Sequence, residues 1–125
     1  MIYKLLGLAI AGAAGTLFRY GLSGLIQKSA SSLFPLGTLS VNAIGCFVFG
    51  FIWTVSLERL IVSSDMRVVI LTGFLGAFTT FSSFIFETDQ LIENSQWLLA
   101  GVNILASLAL GLIAYMLGAL LGRAL

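Results

Sequence analysis

The sequence predicts an all-α integral membrane protein with four transmembrane helices, the third of them broken near its middle. Three observations carry this reading. Of the 125 residues, 59% are hydrophobic and 9% charged, a balance foreign to ordinary soluble domains. The apolar residues gather into four runs, each close to the ~20 residues a helix needs to cross hydrocarbon. The third run holds GFLGAFTTFSSF at 73–84, where glycines, threonines and serines interrupt an otherwise apolar stretch rich in phenylalanine.

The first run covers 5–26. Its opening, MIYKLLGLAIAGAAG, has the lysine, apolar stretch and small residues of a secretory leader. The apolar character continues through Leu25 and three more runs follow, so it is read as a retained first helix. Gly7, Ala11 and Gly15 stand four apart, a row that lets two helix backbones approach closely, either within one chain or between chains. The second run, 36–57, starts just after Pro35, the single proline, where a missing amide proton costs least. Thr38, Asn42 and Gly45 recur at four and three residues and so share a face. The third run, 68–86, continues as an amphipathic extension to 92. The fourth, 97–121, puts Asn103 and Ser107 on one face and carries Gly118 and Gly122 one turn apart. QKSASSLFP, ERLIVSSDMR and ETDQLIENSQ separate the runs and are polar enough to lie at the two interfaces. Lys4, Arg59, Arg67 and Arg123 fall on one side, Lys28 and Arg19 on the other. This four-to-two bias favours termini inside without forbidding insertion both ways round.

Composition also excludes. A net charge of +1 gives no electrostatic basis for binding nucleic acid. A lone cysteine, Cys46, supports neither a disulfide nor a thiolate metal site within one chain, and its expected place is a small buried packing position. The absence of histidine removes the commonest acid–base catalyst, so no enzyme is expected. Polar groups at membrane depth are the functional candidates: Arg19, Thr38, Ser40, Asn42, Thr72, Thr79, Thr80, Ser82, Ser83, Asn103 and Ser107. Carboxylates appear only toward the end of the third run, as Glu87, Asp89 and Glu93. A set of amides, hydroxyls and one guanidinium suits an anion better than a cation, although Thr38 and Asn103 serve equally as glue between helices.

On an unbroken helix Phe74, Phe78, Phe81 and Phe84 would form one stripe. Gly73 and Gly76 weaken that helix, and the hydroxyls of Thr79, Thr80, Ser82 and Ser83 can satisfy backbone groups that a break frees. Freed carbonyls bind a cation, whereas the following half-helix offers its amide end to an anion. Ring edges are positive and add a further attraction for a small anion. A single bundle of four thin helices encloses little, so a transport route implies more than one chain.

GAAGTLFRY at 12–20, GTLSVNAIGCFVFG at 37–50 and GFLGAFTTFSSFIFE at 73–87 strongly resemble the Fluc (CrcB) fluoride channels, in order and with suitable spacing, and the likeness covers essentially the whole chain. The resemblance implies a fluoride-selective, passive exporter in the bacterial inner membrane. It also implies an antiparallel, dual-topology homodimer surrounded by lipid, with two pores and a central sodium ion. It assigns the sodium to the carbonyls of Gly76 and Thr79 and the pore to Asn42, Phe81 and Phe84, with hydroxyls from Thr80, Ser83 and Ser107. Arg19 draws anions toward the vestibule, and Glu87 matches an acidic residue near the pore end. Asn103, also placed along the pore, stands where many members have tyrosine. The resemblance implies that a negative-inside potential drives out fluoride that entered as neutral HF.

Two other readings compete. A small multidrug-resistance-type exporter has similar size and charge but needs a glutamate in its first helix, and this chain has none there. A non-transporting accessory subunit would use the glycine rows for assembly and leave the third-run break unexplained.

Overall fold

A computed structural model describes residues 1–58 and 62–125. Among the described residues, four helical crossings are long and apolar enough to span a membrane: Ile2–Ala30, Leu36–Glu58, Ser64–Glu93 and Trp97–Ala124. The first, second and fourth are the helices α1, α2 and α6. The third is composite, with α3 (Ser64–Val68), a wide π turn π1 (Val69–Leu75), α4 (Gly76–Phe78) and α5 (Phe81–Glu93). The runs read from hydropathy therefore match the crossings to within a few residues.

Backbone and side-chain hydrogen bonds fix several of the ends. Ser31 closes α1 in the left-handed region, its amide donating to Gln27 O. Gln27 then clamps the following loop, donating from Nε2 to the carbonyls of Ser32 (2.7 Å) and Phe34 (3.1 Å) and accepting from Gly37 N at 3.0 Å. Pro35, which has no amide proton to satisfy, ends that loop, and its carbonyl receives Leu39 N as α2 begins. Ser63 caps α3 by accepting from Met66 N. Between α5 and α6 the chain turns in three residues. Gln96 N reaches Leu91 O at 2.8 Å and Ser95 N reaches Ile92 O at 2.9 Å, with Ser95 at φ 59°, the Schellman arrangement that ends a helix abruptly.

Short turns make successive crossings run in opposite directions. Lys4 of α1 meets Asp65 of α3 at 2.9 Å, and Arg123 of α6 meets Glu58 of α2 at 3.5 Å. Lys4, Arg67 and Arg123 therefore share one end of the bundle, as the charge count expects. Arg59, the remaining positive residue assigned there, lies outside the described residues.

In lipid no hydrophobic force drives helix to helix, so close backbone approach must do the packing. The small-residue rows serve that purpose inside the chain. A Cβ on Gly118 would overlap the Phe47 carbonyl, one on Gly50 the Tyr115 carbonyl, and one on Gly122 would stand 3.0 Å from Thr54 Cβ; these contacts seat α6 on α2. Gly15 faces the Phe74 carbonyl, and Ala11 Cβ stands 3.0 Å from where a Cβ on Gly73 would be, so α1 lies along π1. The choice left open by the sequence, packing within one chain or between chains, falls to the first for Gly15, Gly118 and Gly122. The compact apolar cluster is Val41, Leu71, Leu75 and Phe78, with Leu22, Val48 and Ile52 against it. Most other large apolar side chains, including Leu17, Leu105 and Leu112, point outward, as a bundle solvated by lipid requires.

Replacing Gly118 with Leu is expected to destabilise the bundle by about 2 kcal/mol or more, because neither backbone can retreat. Gly101→Ala, which meets open space, should be neutral or slightly stabilising. Equilibrium unfolding in detergent measures both; equal behaviour would remove the packing role of the Gly118 contact.

Candidate functional site

The break lies at Thr79 and Thr80, both extended, with φ, ψ of −91°, 159° and −149°, 118°. It comes three residues later than Gly76. What precedes it is the π turn, in which Gly76 N donates back five residues to Leu71 O. The glycines thus loosen the winding, and the threonines mark the interruption itself.

Every group at the break has a fixed partner or a displaced one. Thr80 N donates to Asn42 Oδ1 at 2.7 Å, and Asn42 Nδ2 donates to Thr80 O at 3.0 Å. Asn42 thereby pairs with both backbone groups of one residue, as a neighbouring strand would. Thr80 Oγ1 accepts from Ser83 N at 3.2 Å and caps α5. Thr79 Oγ1 donates to Leu75 O at 3.0 Å. Arg19 Nε donates to Ala77 O at 3.0 Å, placing a full positive charge at the carbonyl end of α4, where the peptide dipoles favour it.

These pairings have a consequence for two carbonyls. In a continuous helix the Thr80 amide would bond Gly76 O, and the Ser83 amide would bond Thr79 O. Asn42 takes the first amide and Thr80 Oγ1 takes the second. The Gly76 and Thr79 carbonyls are therefore deprived of their helical donors by side chains that the sequence supplies for another purpose.

Beside the break lies a cleft of about 330 Å³ whose lining includes Asn42, Gly76, Thr79, Thr80, Phe81, Phe84 and Ser107. It brings together seven of the residues expected to act, from three crossings. Cys46 also lines it and is half-buried, not fully so. The four phenylalanines divide at the break. Phe74 and Phe78 stack at 5.9 Å and 8°, with Phe78 in the core, while Phe81 and Phe84 stand 5.7 Å apart at 46° on α5. Phe84 is 7% exposed and Phe81 73%, so one ring is seated and the other projects outward.

Other expected residues sit elsewhere. Ser83 is half-buried and tied to Thr80 Oγ1 at 3.0 Å. Asn103 is 1% exposed and is not part of the cleft lining; its Nδ2 donates to Thr88 Oγ1 at 2.9 Å. It is buried between α5 and α6, where Thr88 supplies an acceptor. Thr38, 7% exposed, donates to Glu87 Oε1 at 2.7 Å, so it ties α2 to α5. Glu87 also borders a second, polar cleft of about 490 Å³ with Gln27, Gln90, Asn94 and Gln96. Thr88 was not foreseen; its signal was a threonine four residues after Phe84 on the buried face of the amphipathic extension.

A four-crossing α-helical membrane protein with an interrupted third crossing and, at the interruption, a largely apolar cleft bearing a few amide and hydroxyl groups is the class that fold and site define. The model of the family described as CrcB-like protein, Camphor Resistance (CrcB), matches residues 6–119. The chain belongs to this family. Among its relatives, proteins named fluoride-specific ion channel FluC share 50% identity over 118 residues in Nitrosococcus oceani (94% of each chain) and 51% over 120 residues in Nitratidesulfovibrio vulgaris (96% of this chain, 97% of that one). A third of that name, from Geobacter sulfurreducens, is 41% identical over 121 residues, 97% of this chain and 98% of its own.

Two substitutions separate the roles at the break. Asn42→Ala removes both bonds to the Thr80 peptide and should cost about 2 kcal/mol or more, with amide exchange at Thr80 accelerated. Thr80→Val removes the cap of α5, for about 1 kcal/mol, and should accelerate exchange at Ser83 instead. Exchange that rose equally at both amides in both variants would contradict this division.

Proposed function

We propose that the chain is a fluoride-selective channel that releases fluoride from the cell by passive electrodiffusion and so confers fluoride resistance. The observation that carries the reading is the cleft itself, which sets hydroxyls, an amide and two phenyl rings beside a helix break. The names of its relatives supply the ion. Fluoride holds its water strongly, so a passage must offer close replacements. Thr80 and Ser107 provide hydroxyls, Asn42 holds the break in shape, and Phe81 and Phe84 present ring edges, which carry positive charge. Ser83 lies one helical turn away beside Thr80, and Arg19 adds a positive charge near the entrance. Chloride, larger and less tightly hydrated, gains less from such contacts and fits a narrow route poorly.

The reading includes an antiparallel homodimer, in keeping with the weak charge bias and with Phe81 projecting from a cleft that one chain leaves open. It also includes a sodium ion at the junction of the two copies. The Gly76 and Thr79 carbonyls fit that ion, because both have lost their helical donors, and the second copy would add the same pair. Bound there, sodium would supply a fixed positive charge that offsets these carbonyl dipoles. Lipid and the bacterial inner membrane complete the setting. A potential of −100 mV inside moves one negative charge outward with about 2.3 kcal/mol, enough to hold internal fluoride roughly 50-fold below external without any other energy source.

Liposomes loaded with potassium fluoride should discharge it when valinomycin is added, and liposomes loaded with chloride should not. Equal release of both anions would end the selectivity claim. Phe81→Ile should slow fluoride release at least tenfold while the dimer persists in detergent; unchanged release would make that ring mere packing. Cross-links between engineered cysteines should join opposite ends of two copies, and exclusively parallel pairs would refute the antiparallel arrangement.

A further inference from the structure

The half-helix α5 carries both Phe81 and Phe84, yet little holds it. Phe81, Ile85 and Phe86 on it are exposed. Its start is fixed by the Asn42 pairing with Thr80, and Glu87 is tied to Thr38. The remaining polar tether among the described residues is buried against α6. Thr88, 6% exposed, donates its hydroxyl to Phe84 O at 2.7 Å, and Asn103 Nδ2 donates to the same Thr88 Oγ1 at 2.9 Å. The direction of the chain is forced. A carbonyl only accepts, so the Thr88 proton goes to Phe84 O; the lone pairs of Thr88 then face α6 and require a donor. That requirement fixes the amide of Asn103 with its nitrogen toward α5 and its Oδ1 toward Ser107, whose Oγ is 3.5 Å away.

We propose that Asn103 is a positioning residue that orders the Phe84 ring through Thr88, rather than a group that meets the anion. The proposal rests on the channel reading for its importance to conduction, but the ordering itself is a property of the fold. Asn103 and Thr88 act as one unit: losing either leaves the other's polar group buried without its partner and frees the turn 84–88 from α6. The ring of Phe84, which lines the cleft at 7% exposure, then loses the support of that turn.

The test places 4-fluorophenylalanine at position 84 and records its fluorine resonance in the full-length protein in nanodiscs without fluoride, alongside fluoride release from liposomes. One narrow resonance is expected for the parent and for Thr88→Ser, which keeps the hydroxyl. Asn103→Leu and Thr88→Val should each broaden or shift the resonance in the same way and slow release about tenfold, and the double variant should be no slower than the slower single. Asn103→Asp, which keeps shape but loses the donor, should behave like Thr88→Val and serves if the leucine variant fails to fold. An unchanged resonance in the single variants would overturn the proposal. So would a hundredfold loss in the double variant, or failure of Thr88→Ser to retain the parent signal. A parent that released no fluoride would count against the channel reading, while the resonance would still decide whether Asn103 orders the ring.

Discussion

The pairing of Asn42 with the Thr80 peptide is the interaction on which the rest depends. Hydrocarbon offers no water to a free amide or carbonyl, so an interrupted helix at that depth is tolerable only if protein receives what the interruption exposes. Asn42 has one acceptor and one donor at the spacing of a peptide edge, and both are used on one residue. Arg19 and the two threonines then take neighbouring groups. The interruption is held by side chains from two other crossings, which makes it a fixed shape and not a fluctuation.

From that fixed shape the polarity of the cleft follows. Diverting two amides leaves two carbonyls without their helical donors, a negative feature, while the start of α5 offers amides and hydroxyls, a positive one. The two lie within a few residues of each other at 76–83.

Much of this was legible from residue types and spacing. Four crossings and the shared face of Thr38, Asn42 and Gly45 follow from period and composition, whereas period alone puts Phe74, Phe78, Phe81 and Phe84 on one stripe, and only the family resemblance set Phe81 and Phe84 apart. All three residues of that face do meet the third crossing: Thr38 at Glu87, Asn42 at Thr80, and Gly45 against the Thr79 side chain. Other features were not legible, because they depend on which helix becomes whose neighbour. The partners of Arg19 and Asn103 lie 58 and 15 residues away, and no local pattern names a backbone carbonyl as a guanidinium's target. The π turn was equally hidden. Glycine lowers the stability of regular winding, but its replacement by a wider turn, rather than by a loop, is decided by the fit of Gly73 and Gly15 between α1 and π1.

That wide turn has a consequence for how the family can change in length. Within an α-helix, removing one residue rotates everything beyond it by about 100° and would swing Leu71 and Leu75 away from the core. In π1 a bond already spans five residues, so a deletion there can be absorbed by returning to ordinary winding, with the faces before and after kept in register. Val69–Leu75 is thus the stretch of the third crossing where a lost residue would be forgiven, and 76–84 the stretch where it would not.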